Sequence, residues 1–298
     1  MYTIKPQHNS NNNIEAIELE NANKTSYAKI LLNLGASLQE LKLGNKILIE
    51  DLTPLDYKNT YASSILFPFA NRIKDGEYTF NNETFSFPVN EPGNNNALHG
   101  LVFDKTFEIV KQEATEHQAS LTLVYNETLE SKGFPYTYTI QLEYILKDTT
   151  LDLNVSITNT DTKAFPFTLG WHPYFVSKNL YESSLNFDSN QQLILDERCI
   201  TTGTKTIENT SVFNIEDKKL DDCFILNSNE VQFNTPDYKV LIHSTSKESF
   251  LQIYTPPRAN TIAIEPTTGV SDSFNNKMGL QILTPSETYH LNWNIKLL

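Results

Sequence analysis

The chain has 298 residues, a length that suits either two domains or one large β-sandwich. Its 39% hydrophobic residues are enough for a sizeable core, and its 20% charged residues are too few for a disordered polyelectrolyte. A net charge of −13 repels nucleic-acid backbones and anionic membrane surfaces. We therefore expect a folded globular protein that has neither nucleic acid nor a membrane as a partner.

Short runs with strand character begin near the N-terminus and recur through the first half of the chain. They lie at residues 27–34, 38–43, 107–113 and 120–125, and turn-forming clusters such as residues 81–82 and 90–96 separate them. No segment of 12 or more residues carries a helical stripe of apolar side chains, which argues against alternating strands and helices around a parallel sheet.

The clearest alternation lies in the middle of the chain, in residues 136–144 and 151–158. In the second run Leu151, Leu153, Val155 and Ile157 fall on one face of a strand and polar residues on the other. The short connection at residues 147–148 predicts that the two runs pair as an antiparallel hairpin.

Further runs follow at residues 164–169, 199–206, 231–234, 239–243, 250–254 and 261–265, and alternation over residues 289–297 predicts a terminal strand within a sheet. We find no fixed repeat and no long linker. The sequence therefore predicts an all-β fold, either a sandwich or a barrel, as a single domain over residues 1–298.

Metal, cofactor and targeting signals are sparse. Two cysteines, Cys199 and Cys223, are too few for a disulfide scaffold or a structural zinc site, and no calcium loop or glycine-rich nucleotide motif occurs. The first residues lack a leader pattern, and no 18 apolar residues run together. We expect a cytoplasmic protein, monomer or homodimer, without metal or cofactor.

Four residues have a context that suits chemistry. His99 follows a loop rich in Gly and Asn, and His172 is enclosed by large aromatic residues. Arg72 follows the apolar run at residues 65–69, and Glu265 ends an apolar strand before a proline that should stop ladder pairing. Each also has a structural interpretation: a core histidine with a satisfied hydrogen bond, a solvated strand-end arginine or a surface carboxylate.

Six short motifs, in order and over some two-thirds of the chain, give a more specific signal. They are Asn71-Arg72, Leu98-His99-Gly100, Gly133-Phe-Pro-Tyr136, His172-Pro-Tyr-Phe175, Leu220-Asp-Asp-Cys-Phe224 and Ile264-Glu-Pro266. Together they resemble the motif series of the aldose 1-epimerase (galactose mutarotase) family. The resemblance implies an all-β fold that is a large, mostly antiparallel β-sandwich. It also implies that the protein interconverts the α and β anomers of a free aldose, with a monosaccharide as its partner.

This resemblance implies an acid and a base for opening the sugar ring. Glu265 would remove the proton of the C1 hydroxyl, and His172 would protonate the ring oxygen. Free Glu and His side chains have pKa values of about 4.3 and about 6.5, so we expect an ionised Glu265 and a protonated His172 whose pKa a nearby carboxylate raises.

The same resemblance assigns substrate binding to Asn71, Arg72, His99 and Tyr174. His99 and Arg72 would donate hydrogen bonds to sugar oxygens, and Tyr174 would line the pocket. An aspartate should accept from a sugar hydroxyl. The family pattern selects Asp221 and leaves the adjacent Asp222 open, because only one of two neighbours on a strand faces the site.

The aromatic residues nearby are expected to be core residues, with stacking on a pyranose as the alternative: Phe67, Phe69 and Trp171. Pro173 and residues 267–275 depart from the galactose-type pattern, so the sugar stays open. Three alternatives remain. One is a hexose-6-phosphate 1-epimerase, which needs cations for the phosphate and is less favourable in a chain with three arginines and a net charge of −13. The others are a non-catalytic sugar-binding module and a glycoside hydrolase using Glu265 and Asp221.

Overall fold

A computed structural model describes residues 1–9, 14–208 and 212–298. The strands of the first half are β1 (Tyr2–Asn9), β2 (Ile14–Asn21), β3 (Tyr27–Leu31), β4 (Ser37–Leu43), β5 (Lys46–Ile49), β6 (Ile65–Leu66), β7 (Arg72–Lys74), β8 (Glu77–Phe80), β9 (Glu83–Ser86), β10 (Asn96–Leu98), β11 (Glu108–Ala114), β12 (Ala119–Glu127), β13 (Tyr138–Leu146) and β14 (Thr150–Asn159). Those of the second half are β15 (Phe165–Phe167), β16 (Gly170–Trp171), β17 (Tyr174–Val176), β18 (Ser184–Phe187), β19 (Gln191–Leu195), β20 (Thr201–Thr206), β21 (Phe213–Asn214), β22 (Asp221–Ile225), β23 (Glu230–Asn234), β24 (Lys239–Ser244), β25 (Phe250–Tyr254), β26 (Thr261–Thr267), β27 (Gln281–Leu283) and β28 (Thr288–Leu297).

Helix is scarce in the part of the chain that the structure describes. It consists of the four-residue α-helices α1 (Tyr57–Thr60) and α2 (Ser273–Asn276) and one 3₁₀ turn at Leu180–Glu182. None of these helices has the length and apolar character that a membrane crossing requires.

Two large sheets organise the strands. The first has nine strands in the order β11-β12-β13-β14-β28-β24-β23-β18-β21, and the second has eight, in the order β20-β19-β22-β25-β26-β16-β6 with β17 also paired to β26. Neighbouring strands in both sheets run antiparallel. Strands β1 to β5 form a separate five-stranded sheet.

Aromatic side chains join the two large sheets face to face. Trp171 of β16 stacks on Trp293 of β28 with ring centroids 5.9 Å apart, and Phe187 of β18 packs on Phe224 of β22 at 5.0 Å. All four belong to one continuous buried core. The predicted all-β, mostly antiparallel sandwich is therefore confirmed.

The sequence also predicted individual pairings correctly. Strands β13 and β14 form the expected antiparallel hairpin, and the alternating apolar residues of β14 are buried on one face. The terminal strand β28 pairs with β14 on one side and with β24 on the other, so it lies inside the nine-stranded sheet. Burial of one face fixes the register of such strands, which is why their alternation is a dependable signal.

One strand end was predicted wrongly, because Pro266 does not stop ladder pairing. Strand β26 continues through it to Thr267, and Pro266 pairs in register with Leu251. The backbone nitrogens of Ile264 and Thr268, two residues to either side, bond toward β16 and β17. The nitrogen of Pro266 thus faces the break between those two strands, where no ladder bond is needed.

Candidate active site

Strand parity places five polar or aromatic side chains on the face of the eight-stranded sheet that is turned away from the core. Glu265 on β26 lies opposite Gln252 on β25, and Tyr254 lies opposite Asp221 on β22. His172 stands between β16 and β17, which flank β26 on its other side. Their apolar neighbours alternate into the core, among them Trp171, Ile253 and Ile264.

Loops from the first third of the chain cover this face and enclose a cavity of about 210 Å³. The residues that line it are Asn59, Thr60, Tyr61, Asn71, Arg72, Glu91, Leu98, His99, His172, Tyr174, Asp221, Gln252, Tyr254 and Glu265. The structure therefore brings all seven sequence-predicted site residues to one cavity.

The deepest pair in this cavity consists of a histidine and a glutamate. The Nε2 atom of His172 lies 3.4 Å from Oε1 of Glu265, and the two side chains are only 6% and 4% exposed. Tyr174 stacks on the imidazole with ring centroids 4.9 Å apart, and its hydroxyl donates to the carbonyl oxygen of Thr60. The ring of His172 is thus held with Nε2 facing the carboxyl group.

Burial controls the protonation of this pair. It raises the pKa of Glu265 well above its usual range, an effect to which the Asp221 carboxylate adds. It lowers the pKa of His172 to about 3, and Arg72 acts in the same direction. The upward shift expected for His172 is therefore wrong: loss of water dominates its pKa, because the imidazole is almost completely enclosed.

Replacing Glu265 with Gln is expected to stabilise the fold at neutral pH. A carboxyl group whose pKa is raised on folding keeps a proton that the unfolded chain releases, so stability falls as pH rises above the unfolded pKa of about 4.3. The Gln side chain has no carboxyl proton to release, so the stability of the variant does not fall in this way. Calorimetric melting should show a higher Tm than the parent at about pH 7 and no difference near pH 3.5.

Glu230→Gln, at an exposed position, is the matched control and should move the Tm by a similar small amount at both pH values. A Glu265→Gln variant that melts below the parent at neutral pH and equally at acid pH would show that burial does not penalise the carboxylate.

Asn71 and Arg72 enter the cavity from a bend and the start of β7. Arg72 donates from Nε and NH2 to the carboxylate of Glu91 at 2.9 to 3.1 Å, and from NH1 to Oδ1 of Asn71 at 3.3 Å. Asn71 has a left-handed backbone with φ of 61°, and its carbonyl oxygen accepts from the backbone nitrogen of His99. This bond ties the two loops together over the cavity.

His99 also has a left-handed backbone, with φ of 62°. Its ring makes edge contacts with Tyr61 and His172, at centroid distances of 4.8 and 5.1 Å. Burial lowers the pKa of His99 well below its usual range, and His172 and Arg72 act the same way. A neutral imidazole has one donor and one acceptor nitrogen, which suits a sugar hydroxyl.

The structure decides between the two aspartates. Asp221 lines the cavity and accepts from Nε2 of Gln252 at 2.7 Å. Asp222 has the opposite strand parity and accepts from Nε2 of Gln192, away from the cavity. Burial raises the pKa of Asp221, although the positive charge of Arg72 opposes this shift.

Seven of the fourteen lining residues were missed from the sequence, and two of these side chains, Gln252 and Glu91, form hydrogen bonds with predicted site residues. Gln252 is buried and bridges Asn71 and Asp221, and its signal was a single polar residue within the apolar run of β25. Glu91 pairs with Arg72, but nothing in its loop sequence predicts that contact. The aromatic residues Phe67, Phe69 and Trp171 are buried in the core and do not line the cavity.

Charged groups and thiols outside this cavity are weaker candidates for a functional site. Arg198 binds Asp75 and Arg258 binds Glu50, so both engage carboxylates elsewhere. Cys199 and Cys223 are free thiols. Among residues 1–9, 14–208 and 212–298, no group of three or more His, Cys, Asp or Glu is arranged to hold a metal ion.

Fold and cavity together define a β-sandwich protein with a buried histidine–glutamate pair on one face of its eight-stranded sheet. The family model described as aldose 1-epimerase matches residues 15–296, and the chain belongs to that family. Membership supports a mutarotase-type activity on carbohydrates.

Known relatives agree with this membership. The uncharacterized protein YihR of Escherichia coli K12 is 25% identical over 281 residues, which cover 90% of each chain. A galactose mutarotase-like protein from Clostridium acetobutylicum superposes with a TM-score of 0.86 at 22% identity, covering 99% of this chain and 98% of that one. The galactose 1-epimerase of Lactobacillus acidophilus superposes with a TM-score of 0.82 at 18% identity, covering 100% and 98%. Both structures establish likeness of fold.

Proposed function

We propose that this protein interconverts the α and β anomers of a free aldose, without a cofactor, through proton transfer by Glu265 and His172. The observation that carries the proposal is their placement, with Nε2 and Oε1 3.4 Å apart at the floor of one cavity. The C1 hydroxyl and the ring oxygen of a pyranose are both bonded to C1, so one sugar can contact both groups.

The proton balance of the reaction fits a buried pair that shares one proton. Carboxylate Glu265 takes the proton of the C1 hydroxyl while protonated His172 gives one to the ring oxygen, so the C1–O5 bond breaks and an open-chain aldehyde forms. After rotation about C1–C2, neutral His172 and protonated Glu265 reverse these transfers on the other face. The open-chain stage therefore has both groups neutral.

Burial favours the neutral forms of both side chains, so the ionised pair that begins ring opening is a minor form of the resting protein. The pKa of Glu265 is raised and that of His172 is lowered, so burial stabilises the protonation state that accompanies the open-chain sugar. Ring opening then moves one proton from His172 through the sugar to Glu265 and leaves both side chains neutral.

The remaining polar groups suit a polyhydroxyl ligand. Arg72 and His99 can donate to sugar oxygens, the Asp221 carboxylate can accept from a hydroxyl, and Gln252 fixes the orientation of that carboxylate. Such groups also account for a non-catalytic sugar-binding module. The pairing of Glu265 with His172 favours catalysis, because sugar binding alone does not need a carboxyl group enclosed beside an imidazole.

A polarimetric panel tests the proposal on the wild-type chain. Fresh α-glucose, α-galactose and α-xylose are expected to reach anomeric equilibrium faster with the protein than in buffer alone, for at least one sugar. Saturable binding of a sugar with no acceleration would contradict catalysis and would favour the binding module.

A further inference from the structure

We propose that Glu91 sets the charge preference of the cavity, neutralising Arg72 so that the site takes uncharged aldoses and rejects sugars that carry a phosphate or carboxylate group. This inference rests on the proposed function, since it names the substrate class of the same cavity.

Arg72 is the one permanently charged cation among the described residues that line the cavity. A free guanidinium there would bind an anionic substituent strongly, because Arg forms paired hydrogen bonds with phosphate and carboxylate groups. Glu91 already occupies this paired geometry, with three bonds of 2.9 to 3.1 Å to Nε and NH2. The two side chains are 15% and 19% exposed, so water screens the pair only partly.

Glu91 is held in place independently of Arg72. Its Oε2 atom accepts from Nδ2 of the fully buried Asn96 at 3.0 Å, and the backbones of Glu91 and Asn96 bond to each other in both directions. Although burial disfavours the carboxylate, the hydrogen bonds from Arg72 hold the pKa of Glu91 below its usual value. Glu91 therefore carries its charge at neutral pH.

The ion pair leaves donors available for hydroxyl groups. A guanidinium has five N–H donors. Both oxygens of Glu91 share the single N–H of Nε, Glu91 also takes one N–H of NH2, and Oδ1 of Asn71 takes one of NH1. Two donors remain for sugar oxygens. With Asp221 and Glu265 also on the cavity wall, an added phosphate or carboxylate would meet carboxyl groups and a cation that is already paired.

The test is an NMR titration of galactose, galacturonate and galactose 6-phosphate into the wild type, Glu91→Gln and Glu50→Gln. Glu50 pairs with Arg258 outside the cavity, so its variant makes the same change in net charge at an unrelated ion pair. We expect the ratio of anionic to neutral sugar affinity to rise at least about tenfold in Glu91→Gln and to stay at the wild-type value in Glu50→Gln.

An unchanged ratio in Glu91→Gln, an equal rise in both variants, or a wild type that prefers the anionic sugar would each overturn the inference. Glu91→Met makes the same charge change should the Gln variant fail to fold. Binding is measured with each sugar at anomeric equilibrium, so it does not depend on catalysis. A wild type that binds the sugars but does not speed anomerisation therefore overturns the proposed function, while the affinity ratio still tests the role of Glu91. A wild type that binds none of the three sugars overturns both.

Discussion

Glu265→Gln is expected to lower kcat/KM for anomer interconversion by about 10² to 10⁴, the usual contribution of a positioned acid or base. The amide keeps the volume of the side chain but can neither accept nor return the proton of the C1 hydroxyl. Polarimetry of the most active sugar of the panel, with sugar concentration varied, measures this loss. Binding of the sugar should change much less, because the other polar groups of the cavity remain.

Glu230→Gln serves as the control for this loss, since Glu230 is an exposed carboxylate on β23 in the other sheet. It should retain the parental rate. If Glu265→Gln matches the parent while remaining folded, the base lies elsewhere and the proposed reaction cannot proceed as described.

His172→Gln is expected to cause a loss of similar size, about 10² to 10⁴ in kcat/KM, because the ring oxygen then leaves without a proton. The substitution also removes the ring that stacks on Tyr174, so part of the effect falls on KM. Measuring kcat and KM separately distinguishes lost proton transfer from lost packing.

Exposed His117→Gln is the control for His172 and should behave as the parent does. A His172 variant with unchanged kcat and a raised KM would assign the histidine to sugar binding alone and leave the ring oxygen without its acid.

Much of the fold could be predicted because the alternation of apolar and polar residues along a strand shows which of its faces is buried. The hairpin of β13 and β14 and the terminal strand β28 were predicted from two-residue periodicity, and one buried face fixes their register. The place of Pro266 inside β26 could not be predicted, since it depends on a break between two strands that lie far away in sequence. The expectation of a single domain over residues 1–298 stays a prediction.

Site residues that belong to a sequence motif could be predicted, whereas those that join the site through a contact between distant loops could not. The motif resemblance selected Glu265 and His172, and the structure places them at one cavity floor; their catalytic roles stay predictions. Strand parity alone could have favoured either Asp221 or Asp222, and only the pairing with β25 shows which faces the cavity. Glu91 lies in a loop, and its partner Arg72 is 19 residues earlier in the chain.

Protonation was the least predictable property. A neighbouring carboxylate raises the pKa of a histidine when both are solvated, and the sequence gives no measure of how far water is excluded. In the structure the enclosure of His172 dominates, and its pKa falls to about 3. Partners, oligomeric state and cellular location likewise stay predictions.

The proposed reaction requires Glu265 and His172 to act as one unit that passes a single proton through one sugar. A double-mutant cycle in kcat/KM, using Glu265→Gln, His172→Gln and their combination, measures whether they do. We expect the double variant to lie within about tenfold of the more damaging single variant, because either loss alone already interrupts the transfer. Losses that multiply in the double variant would instead show that the two groups act independently and would rule out a shared proton.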